Sequence, residues 1–222
     1  MRVLMFDIDT LRSDHLSCYG YGRNTSPTID SIAKEGVRFA DYYCPNAPCL
    51  PSRASLITGQ YGIRTGVVGH GGTAADLRLQ GETRHFTDDY SENGLFMQFR
   101  QAGMHTVSFS TFPERHSAWW FNCGFNEMYN VGKRGSESAE DVTPHVLDWL
   151  KRNADKDNWF MHVHFWDPHT PYRAPASFGN PFADEPLPDN WIDDKIFADH
   201  LMHIGPHGAN EINMWNDDTN AT

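Results

Sequence analysis

Apolar and polar positions along this chain follow two periods, one of strands and one of helices. Val3-Leu4-Met5-Phe6 is a continuous apolar run ending in Asp7 and Asp9, which predicts a short buried strand over residues 2–8 with an acidic tip. Ser26-Pro27-Thr28 opens a helix with serine at the N-cap and proline at the first helical position. Ile29, Ile32 and Ala33 give it an apolar face, and Gly36 ends it. Val37-Arg38-Phe39-Ala40 reads as a strand. Ser91 to Ala102 predicts a helix with Leu95, Phe96 and Phe99 on one face, stopped by Gly103. A strand from His105 to Ser110 follows, and then a strand-to-loop exit at Thr111 to His116. Trp119 to Glu127 reads as packing and Lys133 to Ala139 as a polar loop, before a second amphipathic helix over 140–153 through Val142, Val146, Leu147 and Leu150. From Trp159 to Trp166 the period is two: Met161, Val163 and Phe165 share one face, while Phe160, His162 and His164 share the other. From Ala174 onward Pro, Asp, Asn and Gly dominate, with a helical pattern only from Trp191 to Met202.

Helices thus lie between strands, and strand ends open into polar loops at Asp9, His116 and His169. That order predicts a three-layer α/β/α domain with a mostly parallel central sheet, its loops gathered on one edge where ligands bind. The chain has 222 residues, enough for a substantial core. Its 18 basic and 29 acidic residues give a net charge of −11 without a basic stripe, which excludes nucleic acid as a partner and makes any anion recognition local. Four cysteines (Cys18, Cys44, Cys49, Cys123) do not make a disulfide scaffold at this length. Cys44 and Cys49 have a zinc-type spacing, but no second Cys/His pair follows at finger-like distance. The opening residues read as a strand rather than a signal peptide, and no stretch is long enough to span a bilayer. The expectation is a cytoplasmic protein with reduced thiols and no membrane partner.

The chemistry concentrates in Cys49-Leu50-Pro51-Ser52-Arg53-Ala54-Ser55-Leu56-Ile57-Thr58-Gly59. Pro51 biases Leu50 away from helix, so the helix is expected to begin at Ser52 and to stop at Gly59. Cys49 then sits at the positive end of that helix, where unpaired N–H groups favour an anion. Arg53, one turn on, adds a permanent cation with a fork of donors suited to an oxyanion. The glycine-rich stretch from Tyr61 to Gly72 reads as a loop and holds no dinucleotide-binding glycine pattern.

The box resembles the signature of the type I, formylglycine-dependent sulfatases: Cys-x-Pro-Ser-Arg, then Leu, then Thr-Gly. In that family the cysteine is oxidised to formylglycine, whose hydrated aldehyde is the nucleophile. Asp9-Thr10-Leu11-Arg12-Ser13-Asp14-His15-Leu16-Ser17-Cys18-Tyr19-Gly20 is similar to the family's N-terminal segment. The resemblance makes Asp9 and the modified Cys49 ligands of a hard divalent cation, Ca2+ with Mg2+ or Mn2+ as alternatives. Thr10 stands where many members have a second acid, and Asp7, on the face of Asp9, is a further candidate. By the same resemblance His70 lies near the substrate. His116 fits the histidine of a Gly-Lys-x-His segment in which Glu114 replaces the lysine and Arg115 is its substitute. His169, in Asp167-Pro168-His169-Thr170-Pro171-Tyr172, faces the substrate. His162 and His164 read as strand residues.

The implied fold is alkaline-phosphatase-like, and the implied activity is cleavage of a sulfate monoester, on a small molecule or a carbohydrate. The implied partner is a formylglycine-generating or anaerobic sulfatase-maturating enzyme. A phosphodiesterase or phosphonate monoester hydrolase of the same superfamily, and a non-catalytic binding relative, are the alternatives. The family completes its metal site with a later Asp-(His/Asn) pair before a glycine turn. Ala198-Asp199-His200-Leu201 has the pair without that turn. The resemblance therefore implies that residues 1–222 are the N-terminal part of a sulfatase catalytic domain, inactive alone, with half a metal site and an open sheet edge.

Overall fold

A computed structural model describes residues 1–71, 92–169 and 175–186, with residues 74, 75, 77, 195, 198 and 202 besides. The helical pattern at Trp191–Met202, the pair Asp199-His200 and Ser91 fall wholly or partly outside the described residues. The chain divides into two units, one of residues 1–9 and 42–166, the other of 10–41 and 167–222.

The first unit is built on a parallel sheet. Among the described residues its strands are β1 (Arg2–Ile8), β2 (His105–Phe109), β3 (Glu127–Tyr129) and β4 (Trp159–Phe165), in the order β1-β4-β2-β3. Between them run α2 (Cys49–Thr58), α3 (Gly62–Thr65), α4 (Leu95–Gln101), α5 (Phe112–His116) and α6 (Ala139–Asn153). On one face, Leu50, Ala54 and Ile57 of α2 pack with Phe96, Phe112, Phe121, Phe125 and Phe160. On the other, Val142, Val146 and Trp149 of α6 pack on Val107, Met161 and Val163. Layers of helix on both faces of a parallel sheet are the α/β architecture expected.

Several elements differ from expectation. β1 is an edge strand, so Leu4 and Phe6 on its outer face stay 42% and 52% exposed rather than buried. α2 begins at Cys49, three residues early, because Pro51 falls in its first turn, where its missing N–H costs no internal bond. Gly59 closes it at φ +66°, donating its N–H to Ser55 O. Extended Gly94 interrupts the expected helix: Glu92 and Asn93 are helical, and α4 runs from Leu95. Within the expected loop exit, Phe112–His116 is helical, with Pro113 in its first turn. In α6, Trp149 is buried and Leu147 exposed, and Ser138 with Asp141 forms a capping box at its start. β3 begins at the last residue of the stretch read as packing, and α3 lies inside one read as loop.

In the second unit α1 (Pro27–Glu35) starts after Ser26 and ends at Gly36. Ser26 Oγ donates to Asp30 rather than capping the helix, and Cys18 N donates to the same Asp30 oxygen. These groups border a cleft of about 390 Å³ lined by Ser17, Cys18, Asp30, Ala33, Lys34 and Arg38. Val37 to Ala40 forms no strand; no neighbouring strand pairs with it among the described residues, and Val37 is 82% exposed. No helix among the described residues is long and apolar enough to cross a membrane.

Phe96 carries the central packing of the first unit, fully buried with ring centroids 4.5 Å from Phe125 and 5.4 Å from Phe121. Phe96→Ala is expected to lower stability by about 3–5 kcal/mol, read as a reduced midpoint in urea unfolding.

Candidate active site

The parallel register makes the site. Asp7 of β1 lies beside His164 of β4, Met5 lies beside His162, and His162 lies beside Ser108 of β2. Side chains at these positions project to one face, against α2. Arg53, one helical turn beyond Cys49, reaches into them. Its Nε and Nη2 donate to the two oxygens of Asp7 at 2.9 and 2.8 Å. Nη1 donates to Asp9 at 2.9 Å, and Nη2 also donates to His164 Nε2 at 2.9 Å. The His164 nitrogen that accepts from Arg53 carries no proton, so Nδ1 bears it and faces Ser110 Oγ at 3.2 Å. Behind Asp7, His162 Nε2 lies 3.4 Å from Oδ2, and His162 Nδ1 lies 3.0 Å from Ser108 Oγ. The Phe112 ring closes over Arg53, 4.6 Å from Cζ.

These contacts set the charges. Burial pushes the Asp7 carboxyl up, but Arg53 and the His162 contact outweigh it and hold its pKa well below the carboxylate range. Burial also draws Arg53 down, yet Asp7 and Asp9 raise it above its ordinary value. His164, wholly buried, is pushed down by that burial and stays neutral.

Cys49 occupies the first position of α2, with Sγ 3.2 Å from His70 Nε2 and 3.7 Å from His116 Nε2. Burial, followed by the charge of Asp9, pushes the thiol up to about 11 against the opposing pull of Arg53. Burial, then His70 and Arg115, lowers His116 to about 4. Both groups are therefore neutral at pH 7. Arg115 spreads its guanidinium over the Trp166 ring at 5.0 Å, and His116 lies 6.2 Å from the same ring.

Of the residues expected from sequence, this unit brings together Asp7, Asp9, Cys49, Arg53, His70 and His116, with Arg115 on the helix of His116. Thr10 (φ +61°) and His169 (half-buried) lie in the second unit. Arg53, expected to face an oxyanion, spends four donors on protein acceptors. His162 and His164, read as strand residues, prove to be partners of Asp7 and Arg53; Ser108, Ser110 and Trp166 went unnoticed. Their signal was available: the two-residue period of β4 already put both histidines on one face. A hard cation needs several oxygen ligands. Both Asp7 oxygens accept from Arg53, and no group of three or more His, Cys, Asp or Glu among the described residues is placed to hold a metal. The described donor set does not by itself fit the ion.

A family model described as sulfatase matches residues 3–194. Human arylsulfatase A is 45% identical over 65 residues, covering 29% of this chain and 13% of its own. A solved protein in complex with its substrate D-glucosamine-2-N,6-O-disulfate superposes with a TM-score of 0.64 at 19% identity, over 97% of this chain and 44% of its own. A phosphonate monoester hydrolase of Agrobacterium radiobacter gives 0.58 at 21% identity, over 77% and 41%. At these identities the two structures speak for the fold. This chain spans less than half the length of all three.

The depressed Asp7 pKa fixes a sign. The pairing stabilises the fold above the unfolded carboxyl's pKa of about 4 and is lost as pH falls from there through the folded value. Asp7→Asn is expected to cost about 3–5 kcal/mol at pH 7 and to flatten the acid limb of stability against pH, read by chemical denaturation. Iodoacetamide at pH 7.5 is expected to label exposed Cys44 well before Cys49, whose rate climbs as pH approaches 11.

Proposed function

The chain belongs to the sulfatase family, and from that premise we propose that it serves the hydrolysis of a sulfate monoester, with Cys49 as the site of the nucleophile. The observation that carries the reading is one sulfur at a helix start facing two imidazole nitrogens, at 3.2 and 3.7 Å. A thiol has one proton to donate, and at a pKa of about 11 it is a poor nucleophile at neutral pH. Conversion to formylglycine supplies a hydrated aldehyde with two hydroxyls, one to attack sulfur and one through which sulfate is later expelled.

The chain's own residues do the rest. His70 and His116 orient those hydroxyls, and the neutral His116 accepts a proton from the attacking one. Arg115 and the N–H groups at the start of α2 meet the sulfate oxygens. Arg53, committed to Asp7, Asp9 and His164, is a fixed countercharge behind the nucleophile rather than a mobile anion clamp. By the resemblance, the departing alcohol takes its proton from a histidine, His116 or His169. The resemblance names Asp9 for a divalent cation, but its Oδ2 already accepts from Arg53, and no step here depends on the ion. Aryl and carbohydrate sulfates are the substrate classes to try first, since a relative is an arylsulfatase and a structural neighbour binds a sulfated glucosamine.

Co-expression with a formylglycine-forming enzyme is expected to lower the intact mass by about 18 Da. The full-length matured protein is expected to cleave an aryl sulfate, and Cys49→Ala to abolish that turnover. Preference for an aryl phosphate diester would move the reading to a phosphonate monoester hydrolase. Failure to convert and to cleave would leave a non-catalytic binding protein.

A further inference from the structure

α5 carries both Arg115 and His116, yet its five residues are too few to fix their own direction. What holds it is Thr111, just before its first turn. The Thr111 carbonyl accepts from Arg115 N at 3.0 Å. The Thr111 hydroxyl donates to Glu137, and accepts from Trp166 Nε1 at 3.0 Å and Gly135 N at 3.1 Å. Glu137 is 1% exposed, and its second oxygen accepts from Gly135 N at 2.9 Å. The buried Glu137 carboxyl is thus held by the Thr111 hydroxyl and the Gly135 amide.

The same junction holds the Arg115 side chain. Gly135, at φ +86°, passes so close that a Cβ there would stand 2.7 Å from Arg115 Cδ. Arg115 Nη1 donates to Arg134 O at 3.3 Å, and its guanidinium lies on the Trp166 ring. Both walls of the Arg115 slot, the 134–135 backbone and the Trp166 indole, are therefore tied to the hydroxyl that Glu137 orients.

We propose that Glu137, acting through Thr111, is a positioning residue that sets the aim of Arg115 and His116. The assignment to catalysis rests on the sulfatase reading above; the holding of Arg115 does not. Glu137→Gln keeps the volume but puts an amide donor against either the Thr111 hydroxyl or Gly135 N, so no orientation restores both bonds. Thr111→Val removes the hydroxyl, and Thr111→Ser keeps it.

Arg115 modification by phenylglyoxal, followed by peptide mapping, reads the slot without any turnover. Glu137→Gln and Thr111→Val are expected to speed it severalfold, and Thr111→Ser to leave it unchanged. In full-length matured protein the same two variants are expected to lose kcat by about a hundredfold with a smaller change in KM, as for groups misplaced by an ångström, with Thr111→Ser near the parent. Folded Glu137→Gln with the parent's Arg115 reactivity and kcat would overturn the proposal. Faster modification in a protein that cleaves no sulfate ester would retain the positioning and discard the sulfatase reading instead.

Discussion

One buried guanidinium organises the first unit. Arg53 holds Asp7 of β1, Asp9 just beyond it and an imidazole of β4 from a helix that also begins with Cys49. A charge this deep is tolerated only with its partners in place, so each group is obligatory to the others. The result is a rigid floor under Cys49. Asp7 is fixed in its ionised form, His164 in its neutral form, and their roles are set by partners rather than by pH near neutrality.

The sheet separates two kinds of work. The face toward α6 is apolar, with Val107, Met161 and Val163 under Val142, Val146 and Trp149. The opposite face mixes Phe96, Phe112 and Phe160 with Ser108, Ser110, His162 and His164. Aromatic rings there serve as walls for polar groups: Phe112 over Arg53, Trp166 under Arg115. The α6 face is thus packing alone, while the opposite face carries both packing and the polar site.

Local periodicity made most of the fold legible. β2, β4, α1 and α6 follow from runs of apolar residues with a period and a stop. Starts were less legible, because proline is ambiguous: Pro51 reads as a barrier before a helix but sits inside its first turn. Burial of β1 could not be read from its apolar run, since an edge strand and a central one can share a sequence. In the site, short-range features were visible, namely Cys49 with Arg53 one turn on. The partners of Arg53 were not, since Asp7 and His164 lie 46 and 111 residues away. A histidine inside a strand carries no mark of its neighbour in the sheet; only register supplies it. Glu137 and Thr111 escaped for the same reason, each being an ordinary residue of a loop or a helix start.

The pairing of β1 with β4 also bears on how this molecule comes into being. Residues 2–8 must wait for residues 159–165 before Asp7 finds His162 and His164. Parallel strands so far apart in sequence join slowly, because a long loop must close before any contact rewards it. Until that closure Arg53 lacks His164, and the segment around Cys49 emerges from synthesis well ahead of the strand that will enclose it. The nascent chain therefore passes through an interval in which its most reactive segment stands open to other proteins.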